Sequence, residues 1–349
     1  MSRPAGKAQT VLGPVEPSEL GTTLMHEHLF LDIASHYFVA PEDPVKRRMA
    51  LAPLGLDNLG WVRGDAMRNL DNLHLDDMEM MAKEARRFRN AGGNTIVDVT
   101  TIGLARAPTS LRELSLRTGL NIVAGAGYYI SRFHPPEVAG KSVEDIRSDI
   151  VRDITVGMDG TQVRAGIIGE IGTTYPWGTN EEKVLRGAAR AQLETGAALM
   201  VHPGRNPAHP QLILDVLEEE HADMKRVIIA HIERTIGELS QMKAVMDRGA
   251  TIEFDVFGYF GTLQDLPFPD PNDQMRVHMV KQLVDAGYAD RILISQDICE
   301  KQSLYCYGGF GYAHILENVV PLMRRRGMTQ ETIDRILVDN PRRFLTLVR

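Results

Sequence analysis

The chain is poor in cysteine. Only Cys299 and Cys306 occur in 349 residues, too few for a disulfide framework and without the paired spacing of a zinc knuckle. Both are read as reduced thiols. Long apolar runs are missing too: none approaches the length of about 20 residues needed to span a bilayer. The opening MSRPAGKAQTVLGPVEPSEL lacks the apolar core of a secretory signal, so a cytoplasmic protein is expected. Blocks of like charge are absent as well, and 39 basic against 46 acidic side chains leave a net charge of −7. Such a surface has no broad grip on nucleic acid or anionic lipid. The expected partner is a small-molecule substrate, with no nucleic acid and no membrane; if the chain assembles, a homodimer is expected. Linker composition, longer-period repeats and low-complexity tracts are also lacking, which predicts one domain over residues 1–349.

What is present is a regular alternation. Eight β-branched or aliphatic runs, each ending in small or polar residues, are predicted as strands: 22–29, 94–100, 121–129, 165–172, 198–204, 226–233, 251–258 and 291–298. Several are apolar on both faces, as strands of a covered parallel sheet are. Helical patterns lie between them at 76–93, 142–157, 180–196, 210–223, 235–249 and 273–287, with an Asp pair or a Ser-x-x-Asp cap at the start and Gly at the end of some. An open doubly wound sheet would be expected to carry Gly-x-Gly-x-x-Gly after its first strand, and none follows His28. The predicted fold is therefore an α/β (β/α)8 TIM barrel. Residues 8–20 are predicted as a hairpin across the barrel's base. Residues 36–75 form a long loop after the first strand, expected to act as a lid or substrate wall. The last stretch, 313–348, reads as the final barrel helix followed by a packing helix.

His26 and His28 sit two apart in a strand, so both imidazoles share a face. With 11 histidines in the chain, one such pair is weak on its own. The C-terminal ends of other predicted strands add Glu170 on the fourth, His202 on the fifth, His231 on the sixth and Asp297 on the eighth. Barrel chemistry sits at that face. Four imidazoles and two carboxylates converging without a cation would leave buried charges and donors unpaired, so one or two divalent ions are expected. The all-nitrogen-and-oxygen set suits zinc, manganese, cobalt or iron, and six protein ligands exceed what one open catalytic ion takes. Two ions about 3.5–4 Å apart sharing a carboxylate would satisfy them, with Glu170 the best bridge.

These residues, with LGTTLMHEH, GIIGEIG, VHPGR, ILISQDI, YGGFGYAHI and DNPRRFL around them, resemble the phosphotriesterase-like branch of the amidohydrolase superfamily over essentially the whole chain. The subgroup most resembled is the phosphotriesterase-related proteins. Organophosphate-degrading members carry a carboxylated lysine where this chain has Glu170, which puts efficient phosphotriester turnover in doubt. The resemblance implies two divalent metal ions, zinc first. His26, His28 and Asp297 would hold the more buried ion, His202 and His231 the more exposed one, with Glu170 and a hydroxide bridging them. Asp297 is the implied catalytic residue, taking the hydroxide's proton and passing it to the leaving group. The implied activity is hydrolysis at a carbonyl centre: a small N-acyl amide such as an N-acetyltaurine-like compound, a lactone or a carboxylic ester. Phosphotriesterase activity and a non-catalytic ligand-binding barrel are the alternatives. Arg205 is a candidate for binding a substrate anion bidentately and Tyr129 for hydrogen-bonding substrate. Glu233, Arg234 and Asp255 are candidates for supporting the ligands, and Tyr307 with its GGFG run for shaping the leaving-group pocket. The other seven histidines carry no expected role.

Overall fold

In a computed structural model, which describes residues 5–259 and 270–348, the strands and helices alternate as the pattern requires. The strands are β1 (Thr23–Glu27), β2 (Thr95–Asp98), β3 (Asn121–Ala126), β4 (Ile167–Gly172), β5 (Leu199–His202), β6 (Val227–Ile229), β7 (Thr251–Phe254) and β8 (Ile292–Ile294). They pair in chain order, all parallel, as one eight-stranded sheet curled almost into a closed barrel. At the seam between β8 and β1, the Asp297 N–H reaches the His26 carbonyl at 3.1 Å.

Helices α1 (Met78–Asn90), α2 (Pro108–Thr118), α3 (Val143–Thr155), α4 (Thr179–Thr195), α5 (His209–Glu219), α6 (Leu239–Asp247), α7 (Asp273–Asp285) and α8 (Val320–Arg325) follow the strands. Local sequence sets their ends. Asp77 caps α1 through the Glu79 and Met80 N–H groups, and Ser142 with Asp145 forms a capping box on α3. Gly196 closes α4 at φ +72°, a left-handed turn that glycine takes without strain. Helix α2 escaped the sequence reading because Ser115 and Thr118 share its buried face with Leu111 and Leu114, which blurs the apolar stripe.

The bore of the barrel is filled by Met25, Val97, Val99, Val123, Ile167, Ala198, Met200, Ile228, Ala230 and Leu293, and plugged at its base by Ala8, Leu20, Phe344 and Leu345. The larger cluster, with Leu24, Ile96, Ile168, Leu199, Val201 and Ile229, lies between strands and helices. These two clusters show which way each strand residue points, and alternation fails at two informative places. Leu24 pairs with Ile96 and Glu27 with Asp98, three residues against two; Ile168 pairs with Leu199 and Ile171 with Val201, again three against two. Each is a β-bulge. The first turns His26 into the bore beside Met25, so His28 follows it inward and Glu27 points out. The second does the same for Glu170.

The expected hairpin is present as Ala8–Thr10 paired with Gly13–Val15, and it sits at the base, where the Val11 N–H bonds the Ile122 carbonyl. The long segment after β1 is a folded subassembly, with helices at Pro44–Leu51 and Leu56–Val62 and a two-residue strand pair, Leu31–Asp32 with His74–Leu75. Among the described residues, no helix is long and apolar enough to cross a membrane.

Candidate metal centre

All six predicted ligand-type residues meet at the C-terminal mouth of the barrel, each delivered by a local device. His26, His28 and Glu170 are aimed by the two bulges. His202 ends β5 with the inward parity of Met200. His231 should point outward by alternation after Ala230, but its backbone turns left-handed at φ +51° and brings the ring in; Asp297 sits at φ +50°. Non-glycine residues in this region carry strain, of order 1–3 kcal/mol each, that the surrounding structure must offset.

The donor atoms form two adjoining groups, His26–His28–Asp297 and Glu170–His202–His231, within each of which they lie no more than 4.8 Å apart. Asp297 Oδ1 is 3.2 Å from His28 Nε2 and 3.6 Å from His26 Nε2. Glu170 faces both groups: Oε1 is 3.6 Å from His28 Nε2, while Oε2 is 2.9 Å from His202 Nδ1 and 3.5 Å from His231 Nε2. Its position between the groups is the one a bridging carboxylate needs.

Asp255, at the end of β7, fixes the imidazoles from behind. It accepts from His26 Nδ1 at 2.9 Å and from His231 Nδ1 at 2.7 Å, one oxygen each, and also takes the His231 backbone N–H. His28 Nδ1 lies 2.9 Å from the Thr100 hydroxyl. With Nδ1 of His26 and His231 committed to a carboxylate, Nε2 of each offers its lone pair to the centre. His26 Nε2 is fully buried and has no hydrogen-bond partner. A buried imidazole nitrogen left unmatched, beside carboxylates it does not touch, fits a cation held between them.

The carboxylates give the centre an anionic field, one that favours a positive charge there. Burial opposes charge on Glu170, yet His26 and His202 outweigh it and hold the carboxyl well below its usual range. Burial likewise disfavours a charged His26, but Glu170, Asp255 and Asp297 pull its pKa well up; His202, buried and beside His231, is lowered. One layer down the bore, Glu253 is buried with both oxygens unpartnered, and burial together with Asp255 pushes its carboxyl well above the usual range.

A cavity of about 390 Å³ opens over this cluster. Its lining includes Arg205 and Arg234, following β5 and β6, and the aliphatic Leu31, Ile33, Met67, Leu104 and Ile130, following β1 to β3. Arg205 Nη1 and Arg234 Nε are buried without hydrogen-bond partners, and Arg234 Nη1 lies 3.8 Å from Asp297 Oδ2, beyond hydrogen-bond reach. Tyr129 also lines the cavity, its hydroxyl 3.4 Å from His202 Nδ1.

Some residues fall elsewhere than the sequence suggested. Glu233 turns away to Arg276 at 3.3 Å and accepts the Val256 N–H, supporting β7 from outside. Tyr307 is not among the residues lining the cavity; it packs on Leu54, Leu59 and Val62 of the long segment after β1. Phe310 of the GGFG run stacks on His314 with ring centroids 4.1 Å apart. Sequence reasoning passed over Glu300 and Cys299, which line the cavity, and His209, whose Nδ1 accepts the Gly204 N–H at 2.7 Å and so braces the loop carrying Arg205. The only sequence signal for Glu300 and Cys299 was their nearness to Asp297.

Comparison with known proteins agrees with this geometry. The phosphotriesterase family profile matches residues 6–345. An N-acetyltaurine hydrolase of Rattus norvegicus is 40% identical over 351 residues, covering 99% of each chain. A phosphotriesterase-related protein of Nematostella vectensis is 40% identical over 98% of this chain and 99% of its own. Among solved structures, a resiniferatoxin-binding protein from Rhodobacter sphaeroides superposes with a TM-score of 0.92 at 38% identity, over 98% of this chain and 96% of that one. A lactonase from Listeria monocytogenes does so at 0.80 and 26%, over 98% and 100%.

Proposed function

Since the chain belongs to the phosphotriesterase family, we propose that this hydrolase is binuclear and cleaves small N-acyl amides whose amine half carries an anion, N-acetyltaurine-like compounds above all. The observation that carries the reading is the cavity itself: an all-nitrogen-and-oxygen ligand set at its floor with two incompletely paired guanidinium groups in its wall. Two divalent cations bound there, zinc by preference and manganese, cobalt or iron as alternatives, would acidify a water and polarise the scissile carbonyl.

The protein's own residues divide the remaining work. His26, His28 and Asp297 would hold one ion and His202 and His231 the other, with Glu170 placed to serve both. Asp297 has its two oxygens in different surroundings, Oδ1 toward His28 Nε2 and Oδ2 toward Arg234. Oδ2 is therefore the atom that takes a proton and returns it to the departing amine. Arg205 and Arg234 bind the anionic tail, for which a planar guanidinium fork is well matched. The acyl group lies along the aliphatic lining, and the Tyr129 hydroxyl orients the carbonyl end. At about 390 Å³, the cavity is at the small end of ligand sites and excludes bulky substrates.

Assaying the metal-reconstituted protein against N-acyl amino sulfonates, lactones, carboxylic esters and phosphotriesters tests this. A clear preference for phosphotriesters refutes the amide assignment. A preference for lactones supports the second reading, which the likeness to the Listeria lactonase favours. Purified protein that retains no transition metal and turns over none of these substrates would identify a non-catalytic binding barrel, the reading consistent with the name of the Rhodobacter relative.

A further inference from the structure

The residue between the two histidines carries an assignment of its own. Glu27 points out of the bore, is fully buried, and touches neither cavity nor substrate side. Its carboxylate accepts three hydrogen bonds, all from the turn that follows β8. Oε1 takes the Ser295 hydroxyl at 2.8 Å and the Gln296 N–H at 2.9 Å; Oε2 takes the Ile298 N–H at 3.0 Å. The two backbone donors bracket Asp297, the residue whose left-handed backbone aims its carboxylate at the centre. Ser295 completes the loop by accepting the His26 N–H at 3.0 Å. The barrel seam that a β-ladder would normally close is thus tied by the Glu27 and Ser295 side chains together with the Asp297 N–H bond to the His26 carbonyl.

We infer that Glu27 is the positioning residue for Asp297: it fixes the Gln296–Ile298 turn against β1, and so sets the separation between Asp297 and the His26–His28 pair. Three donors point at its two oxygens, so the site calls for an acceptor at each. A glutamine can satisfy Ser295 and Gln296 through its oxygen, but then turns an NH2 toward the Ile298 N–H, donor against donor. Glu27 therefore acts on the ion shared by His26, His28 and Asp297 and leaves the ion held by His202 and His231 alone. This inference rests on the ligand assignment proposed above.

The experiment is chelator competition on the zinc-loaded full chain, resolving the two dissociation constants, for wild type, Glu27→Gln and Asp297→Asn. Asp297→Asn tests the underlying ligand assignment: if it leaves both constants unchanged, that assignment fails and the inference with it. If Asp297→Asn weakens one ion, Glu27→Gln is expected to weaken the same ion by about 10–100-fold, the usual scale for a group that supports a ligand, and to leave the other within experimental error. The loaded variant should lose kcat with KM unchanged, because the substrate-facing groups are untouched. Wild-type constants for both ions in Glu27→Gln, or equal loss of both, overturn the proposal. If Glu27→Gln does not fold, Ser295→Ala decides: selective weakening of the same ion supports the inference, and unchanged constants refute it.

Discussion

His209 gives a prediction that can be worked through from the structure. It is fully buried at the start of α5, between the rings of Tyr175 and Trp177 at 5.4 and 4.8 Å, with its Nδ1 accepting the Gly204 N–H at 2.7 Å. Protonation would set a donor against that N–H and place a charge where water cannot reach it. Burial accordingly brings its pKa down from 6.5 to about 4. The unfolded chain therefore takes up the proton first. The neutral ring's contribution to stability is complete above about pH 6.5 and is lost as pH falls toward 4. From those two values the loss between pH 7 and pH 4 is about 3 kcal/mol. Urea unfolding of the metal-free protein, followed by tryptophan fluorescence at both pH values, measures it against His209→Gln, which keeps an acceptor for Gly204 but does not titrate there. Carboxylate contributions are common to both proteins and cancel in the difference. Wild type should lose about 3 kcal/mol more than the variant; parallel losses would refute the argument.

Other outcomes follow from the centre. Glu170→Gln should release at least one metal and abolish nearly all turnover while the circular dichroism spectrum persists; an active variant with both metals would disprove the bridge. Asp255→Asn can no longer accept from both Nδ1 groups as a carboxylate does, so metal affinity should drop by about 10–100-fold in chelator competition. An unchanged affinity would show that Asp255 does not orient the ligands. Arg205→Met and Arg234→Met should each raise KM for an N-acyl amino sulfonate about tenfold or more, since a hydrogen bond to a charged group is worth about 1.5–3 kcal/mol. KM for a neutral amide of equal size should stay put, and equal effects on both would count against an anion subsite.

Much of this site was legible in the chain because parallel strands buried on both faces leave their polar residues at the ends, where chemistry-bearing side chains stand out. His26, His28, Glu170, His202, His231 and Asp297 could be picked out on that ground. Arg234 was visible only as a neighbour of His231 and Asp255 only as a polar residue on the seventh strand, and their separate places, lining the cavity and bracing imidazoles, depend on which way each side chain leaves the backbone. Tyr307 was misread because loop nearness to Asp297 does not specify a direction, and its side chain packs on Leu54, Leu59 and Val62 instead. Glu27 and His209 gave no signal at all, since a carboxylate or imidazole that serves only to brace a neighbouring turn looks in sequence like any other.

The amino-acid sequence by itself determined the repeating strand–helix order, and with it the barrel and the face on which chemistry could occur, because hydrophobic periodicity and helix caps are local properties. Convergence was decided only by tertiary structure. Strict alternation does not carry all six ligand-type residues inward: two bulges turn His26 and Glu170 into the bore, a left-handed backbone turns His231, and hydrogen bonds to Glu27 across the seam hold the turn that presents Asp297. Each device depends on a neighbouring strand or turn to hold it in place, and that support exists only once the barrel has formed.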